Sequence, residues 1–458
     1  MNLEAYRAAF DAVQADFEEA VAACGLPFER EESQPRVRRA AATCGFCENS
    51  GASLGKGWLS PSCRACRTGE ETATFFISLK CTRNCYFCFN VNQEDYEYHR
   101  THERAIAAEL RAAHAAGAKF RHLAVTGGEP CLHPDELLAF LHCAQELYPE
   151  ARTRLYTSGD CLDDRLLVAL RDAGLSEIRF SVKMEESADQ RWETLSKIAE
   201  AVGVIPDVMV EMPVIPGTLD EMRELLVQLD ERGVRGINLL EFCFPLANAE
   251  AFAARGFELR RNPYVVPYNY WYAGGLSIAG SEAECLELLR FAAEKGLRLG
   301  VHYCSLDNKF SGQIYQQDKP FLLDDAFAAH YAWLSFDNAD YFLKCAKVFG
   351  DDVSTVERLL GELIEDSGDT LRSADKAFTS GSAPEAAFED RIHKDSAIPE
   401  LAFPLAWASI VAEALPMVEL GVSLNVLEPD ETSLHLREVA LNPWHPTEGE
   451  HSLFYAAN

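Results

Sequence analysis

The amino-acid sequence predicts an α/β fold, a parallel α/β barrel or sheet. From about residue 72 to 305, short runs rich in β-branched and aromatic residues alternate with amphipathic helical stretches. The chain has 458 residues, enough for two or three domains around sizeable cores. Its apolar content of 48% and aromatic content of 10% are those of a globular protein.

Residues 1 to about 35 read as an amphipathic helix, with Leu3, Tyr6, Phe10, Val13, Phe17 and Val21 at helical spacing, followed by a charged, proline-containing linker. Cys44, Cys47, Cys63 and Cys66 then form a C-x2-C-x15-C-x2-C constellation. Two such pairs can place four thiolates around one zinc ion. A structural zinc is preferred, and an auxiliary [4Fe–4S] cluster stays open beside it.

Thr72–Ser78 is the first strand of the alternating region. The loop after it carries Cys81, Cys85 and Cys88, spaced C-x3-C-x2-C with Phe87 before the last cysteine. Three thiolates this close can hold three irons of a [4Fe–4S] cubane and leave the fourth without a protein ligand, whereas most clusters have every iron ligated by cysteine. A helix over 104–116 leads to a strand over 123–126, which ends in Gly127-Gly128-Glu129-Pro130. Helices over 135–147, 166–173, 192–202 and 219–233 separate strands at 154–158, 177–183, 207–214 and 237–243. A further helix over 281–295 and a strand ending in His302, Tyr303 and Cys304 extend the series. On the fourth strand Arg179, Ser181 and Lys183 alternate, which puts them on one face.

The last 150 or so residues read as a mostly helical α+β module. Helices are expected over 327–349, 353–364 and 401–413, a loop over 373–387, and a β-hairpin from 422–427 and 432–437. The organisation is therefore helix and linker to 40, cysteine segment 41–70, α/β region 71–305 and C-terminal module 306–458.

Together, the cysteine spacing with Phe87 and the Gly-Gly-Glu-Pro turn resemble the radical S-adenosylmethionine (SAM) superfamily, with its CxxxCxΦC and GGEP motifs. The resemblance implies a partial (β/α)6 barrel with a [4Fe–4S] cluster on Cys81, Cys85 and Cys88. It implies that SAM binds the open iron and meets Thr126, Gly127, Gly128, Glu129 and Pro130, where the backbone and the Glu129 carboxylate take the methionyl amino group. Ser158, Ser181 and Lys183 would meet ribose or carboxylate, and Pro216–Gly217 the adenine. Reductive cleavage of SAM would give a 5′-deoxyadenosyl radical acting on a small molecule or peptide, with ferredoxin or flavodoxin as reductant and oxygen sensitivity as a consequence. An enzyme that installs a glycyl radical on a partner, and a non-catalytic iron–sulfur or zinc protein, are the alternative functions. The single cysteine beyond Cys304 fits poorly with peptide-modifying members that carry a cysteine-rich C-terminal extension.

Cys243, His302 and Cys304 could face substrate, bind an auxiliary metal or lie in the core, and burial is preferred for each. Cys24, Cys131, Cys143, Cys161, Cys285 and Cys345 have no ligand spacing and read as core or incidental, Cys131 being the exception by its place after the turn. With 42 basic against 72 acidic residues, the net charge of −30 disfavours nucleic-acid binding. No signal-peptide pattern or membrane span is read, and 15 cysteines point to metal and thiol chemistry in a reducing cytoplasm.

Overall fold

The computed structural model describes residues 2–23, 25–30, 45–261, 275–378, 388–395, 398–429 and 434–445. Cys24, most of the expected linker and Cys44 lie outside them. The described residues form two compact units, one from 22–261 and 275–310, the other from 2–21 and 311–445. Among them no helix is long and apolar enough to cross a membrane.

After α1 (Leu3–Ala22) come β1 (Phe46–Glu48), β2 (Ser53–Lys56) and α2 (Pro61–Ala65). The alternating region begins with β3 (Thr72–Phe76), α3 (Tyr96–His99), α4 (Ile106–Ala115), β4 (His122–Thr126) and α5 (Pro134–Leu147). It continues through β5 (Arg152–Thr157), α6 (Asp164–Asp172), β6 (Glu177–Phe180) and α7 (Ala188–Ala201). Next are β7 (Asp207–Val214), α8 (Leu219–Glu231), β8 (Gly236–Glu241), β9 (Cys243–Phe244) and α9 (Ala249–Ala253). β10 (Leu276–Ser277), α10 (Ser281–Glu294) and β11 (Gly300–Cys304) complete the unit.

β3 to β8 lie side by side in sequence order, all parallel, and β11 adds to β8, also parallel. β2 and then β1 join this sheet antiparallel on the far side of β11. The sequence reading gave the cysteine segment no strands, yet its hairpin extends the sheet. The fourth expected strand is also shorter: β6 ends at Phe180, so Ser181 and Lys183 lie in the loop beyond it.

The helices between the strands, α4 to α8 and α10, pack on one face. Leu123, Val125, Leu155, Ile178, Phe180 and Val210 share a core with Leu110, Phe140, Leu170, Ile198, Leu226 and Leu288 of the helices. Local signals start these helices where the packing needs them: the Asp163 carboxylate caps α6 by accepting from Leu166 N at 2.8 Å, and Ser187 and Gln190 form a capping box on α7.

The opposite face is polar, and residues 58–66 lie against it. Arg179 on this face is 3% exposed. Its guanidinium donates to Glu177 and Glu211, to Ser60 Oγ at 3.2 Å and to Cys63 Sγ at 3.3 Å. Ser60 Oγ donates to Glu177 at 2.6 Å. Asn238 Nδ2 donates to Glu211 at 2.6 Å and Cys63 Sγ at 3.2 Å, so its Oδ1 must accept from His302 Nδ1 at 2.9 Å. That fixes the tautomer, and His302 Nε2 accepts from Ser53 Oγ at 2.9 Å. Trp58 needs Gly300 beneath it: a Cβ there would stand 2.2 Å from the Trp58 carbonyl oxygen.

The second unit holds α11 (Leu306–Leu323, starting in the first unit), α12 (Asp325–His330), β12 (Ser335–Phe336), β13 (Leu343–Phe349) and α13 (Val353–Phe378). β14 (His393–Asp395), β15 (Glu400–Phe403), α14 (Ala408–Ala414), β16 (Gly421–Pro429) and β17 (Leu434–Pro443) follow. Its strands form an antiparallel sheet ordered β14-β15-β13-β16-β17, with β12 on β13. Leu3 and Tyr6 of α1 pack with Phe349 and Leu441 in this unit.

Three expectations are corrected here. The helix read over 327–349 shrinks to α12, and its second half is the central strand β13. Lys344 and Lys347 sit three apart, like a solvated helix face, but both are buried and paired, Lys344 with Asp337 and Asp340, Lys347 with Glu400 and Glu438. The helix read from Leu401 begins as β15 and becomes helical only at Ala408. The loop read over 373–387 starts later, since α13 runs to Phe378, and 379–387 lie outside the described residues. The module is thus richer in strand than expected. Its hairpin stands as read, β16 against β17.

Two outcomes follow from the polar face. Gly300→Ala forces backbone at Trp58 to shift and should destabilise the chain by about 1–3 kcal/mol, read from the urea midpoint. Burial holds the His302 imidazole down at about 4. The unfolded chain takes up that proton near pH 6.5, so stability is lost as pH falls from 6.5 towards 4. Between pH 7 and 4.5 the metal-free protein should lose about 2 kcal/mol more than His302→Gln in urea unfolding, and parallel losses would exclude His302 as the cause.

Candidate active site

The loop carrying Cys81, Cys85 and Cys88 leaves the carboxyl end of β3, where ligands gather in parallel α/β folds. The turn after β4 is laced to it. Gly128 N donates to Ser78 O at 3.0 Å, and Glu129 N donates to Lys80 O at 2.8 Å. Asn90 Nδ2 donates to Gly127 O at 2.6 Å. Only glycine permits this approach: a Cβ on Gly128 would stand 1.9 Å from Lys80 O. Gly127 also has φ of +107°.

Among the three thiols, Cys81 is exposed and Cys85 and Cys88 partly so, and none is in a disulfide. Arg83 N donates to Cys81 Sγ at 3.4 Å. Burial pushes the Cys85 thiol up to about 11, with the Lys183 ammonium acting the other way. Burial raises Cys88 as well, and its Asn90 backbone hydrogen bond opposes this. Three thiols in one clamped loop, with a cation beside two of them, suit the donor set of a cluster with one open iron.

Glu129 is 1% exposed, and its carboxylate is fully engaged. Oε1 accepts from Thr157 Oγ1 at 2.7 Å and Cys131 N at 3.1 Å. Oε2 accepts from Ser158 N at 2.7 Å and Ser158 Oγ at 2.6 Å. These four donors use the carboxylate's four lone-pair positions. The side chain binds the end of β5 to the turn.

Thr126 ends β4 beside Phe76, and Pro130 is buried next to Glu129. Ser181 N donates to Thr157 O at 3.3 Å, which brings the loop after β6 against the end of β5. Pro216 and Gly217 follow β7, where Gly217 N donates to Glu284 at 2.6 Å. These residues stand at the ends of four neighbouring strands. Sequence reasoning missed Arg83, Asp160 and Glu186. Arg83 Nε donates to Asp160 at 2.7 Å, its guanidinium also pairs with Glu186, and Thr82 Oγ1 donates to Asp160 at 2.6 Å. The signal was a lone arginine inside the cysteine spacing with acids just past two strand ends.

The N-terminal cysteines are placed differently. A Cβ on Gly55 would meet the Phe46 ring at 2.2 Å, so that ring lies on the face shared with His302. Cys47, one residue on, pairs with Leu54 of the helix-side core and points to the opposite face from Cys63. The structure does not bring Cys47 to Cys63, and among the described residues no three His, Cys, Asp or Glu side chains converge as ligands of a single metal ion. Cys243 and His302 are buried and Cys304 is partly exposed, accepting from Asn308 Nδ2 at 3.2 Å. Cys131, Cys143, Cys285 and Cys345 are buried, and Cys161 is partly exposed.

Residues 75–229 match the family model of the radical SAM superfamily. A Methanocaldococcus jannaschii protein carrying the name of a glycyl-radical enzyme activating enzyme is 24% identical over 312 residues, 64% of this chain and 78% of that protein. Streptococcus suis SuiB, solved bound to precursor peptide SuiA, is 13% identical with a TM-score of 0.38, covering 53% of this chain and 51% of its own. BtrN in complex with AdoMet and 2-DOIA is 19% identical with a TM-score of 0.25, covering 31% and 56%. This chain spans about half the length of those solved structures. Residues 75–229 are therefore a radical SAM superfamily domain.

Proposed function

We propose that Cys81, Cys85 and Cys88 hold a [4Fe–4S] cluster at which SAM is cleaved to modify a small-molecule or peptide substrate in the cytoplasm. The observation that carries this is the clamped cysteine loop at the end of β3, laced through Gly128 and Glu129 to the next strand's turn. The bound cluster and SAM supply a 5′-deoxyadenosyl radical, with the electron coming from a ferredoxin or flavodoxin.

The chain's own residues bind and orient. The backbone of Thr126–Pro130 meets the methionyl end of SAM, while the Glu129 carboxylate holds Ser158 in place. Lys183, beside Cys85 and Cys88, offers a cation to the SAM carboxylate. Ser158 and Ser181 border the ribose, and Pro216–Gly217 the adenine. One-sided helix cover over a polar opposite face supports a partial (β/α)6 barrel whose inner surface is the Arg179 face. Cys47, Cys63 and Cys66, with Cys44, are the donors for an auxiliary zinc or second cluster. That site requires the edge strand β1 to turn Cys47 across the sheet, since only β2 pairs with β1.

A second reading, activation of a glycyl-radical enzyme, is favoured by the name of the M. jannaschii relative. A partner protein acquiring a glycyl radical signal in electron paramagnetic resonance would select it.

Anaerobic incubation with SAM and dithionite should yield 5′-deoxyadenosine, and Cys85→Ala should reduce this to background. Absence of 5′-deoxyadenosine from wild-type protein with a full cluster would overturn the proposal. Metal and sulfide analysis of a Cys81/Cys85/Cys88 triple alanine variant should show whatever metal the N-terminal cysteines retain.

A further inference from the structure

We infer that Arg83 is a positioning residue that sets the cysteine loop before any cofactor arrives. The inference rests on the cluster reading only for what the loop is shaped to hold. The C-x3-C spacing asks nothing of the residue at 83. The structure gives it a specific task.

Its guanidinium makes a two-pronged contact with Asp160, Nε donating to Oδ2 at 2.7 Å and an amino group to Oδ1, while the other amino group pairs with Glu186. The fork geometry is the arrangement that makes arginine–carboxylate pairs directional. The Arg83 side chain is 11% exposed, unlike a freely solvated surface pair, which contributes little. Asp160 lies two residues past Ser158, and Glu186 three past Lys183. Thr82, next to Arg83, donates to Asp160 as well. Glu129 holds Ser158, whose Oγ lies 3.4 Å from Thr82 Oγ1, so hydrogen bonds run unbroken from the end of β4 through the β5 loop and Arg83 to the β6 loop. Together with the β3 loop that Arg83 belongs to, four consecutive strand ends share one bracket. Arg83 N also donates to Cys81 Sγ at 3.4 Å, so the bracket acts on a ligand residue directly.

Hydrogen–deuterium exchange on the full-length, metal-free protein under reducing conditions tests this without the cluster. Arg83→Gln should raise exchange in peptides spanning 78–90 and 158–161 by about tenfold, the factor for one lost hydrogen bond of about 1.4 kcal/mol, and leave the helices unchanged. Arg83→Lys, which keeps the charge but loses the fork, should fall between wild type and Arg83→Gln. Iron bound per chain after reconstitution should decrease in the same order. Unchanged exchange over 78–90 in Arg83→Gln overturns the inference even if SAM cleavage is confirmed. A uniform rise across the whole chain overturns it too, because Arg83 would then be a general stabilising contact. Should Arg83→Gln fail to fold, Asp160→Asn, which spares the Glu186 pair, reads the same peptides with the same two outcomes.

Discussion

A parallel sheet has two faces to cover, and here the helices between the strands cover one. The other must be closed by something else, because buried strand backbone and side chains tolerate no unpaired polar surface. The chain closes it with its own residues 58–66 and with a set of charges that satisfy one another. Arg179 is the centre of that set. A buried guanidinium is costly unless its donors are matched, and Glu177, Glu211, Ser60 and Cys63 accept from it. Each partner is then fixed by the next: Glu211 and Cys63 orient Asn238, Asn238 sets the His302 tautomer, and His302 holds Ser53 on the added strand β2. The segment that closes the face and the strand that extends the sheet are therefore parts of one network.

The carboxyl ends of the strands are organised by a different principle, close backbone approach. Gly127 and Gly128 let the β4 turn lie against residues 76–80 with no side chain between. Glu129 then directs its carboxylate to Thr157 and Ser158 at the end of β5. The result is that the cysteine loop and the glycine turn are not independent elements that happen to be adjacent. Backbone hydrogen bonds join them on one side, and Thr82, Arg83 and Asp160 join them through β5 on the other. A loop held from both sides loses little further freedom when it binds, which is how preorganisation favours ligand capture.

The alternating strands and helices of residues 72–305 were legible because each apolar run there faces one core and has the period of its element. The cysteine loop and glycine turn were legible because their spacing is local. What failed to show was set by pairing at a distance. β13 carries two lysines, and nothing nearby in sequence reveals that acids from two other strands will neutralise Lys347. β2 is Ser-Leu-Gly-Lys, a weak strand by composition, and it forms because β11 offers an edge. The hydrogen bonds of Glu129 to Thr157 and Ser158 were hidden too, because those residues lie 28 and 29 positions away at the end of the neighbouring strand. Arg83 went unnoticed for the same reason: its partners lie 77 and 103 positions away.

The protonation of the thiols ties this architecture to assembly of the site. Cys85, pushed up to about 11, and Cys88, also raised, are neutral in the metal-free protein near pH 7. Neutral thiols do not repel one another, so Cys85 and Cys88 can sit in one partly buried loop with no metal to balance them. Iron binds thiolate, so in the proposed cluster each of these two residues would release a proton as it binds. Raising the pH favours that exchange, and Lys183 lowers its cost at both sulfurs by supplying positive charge as the negative charge forms. In a chain with 72 acidic and 42 basic residues, a lysine held at this point does what the overall charge cannot. The same burial that keeps the metal-free thiols of Cys85 and Cys88 neutral would thus couple the proposed cluster's loading to proton release.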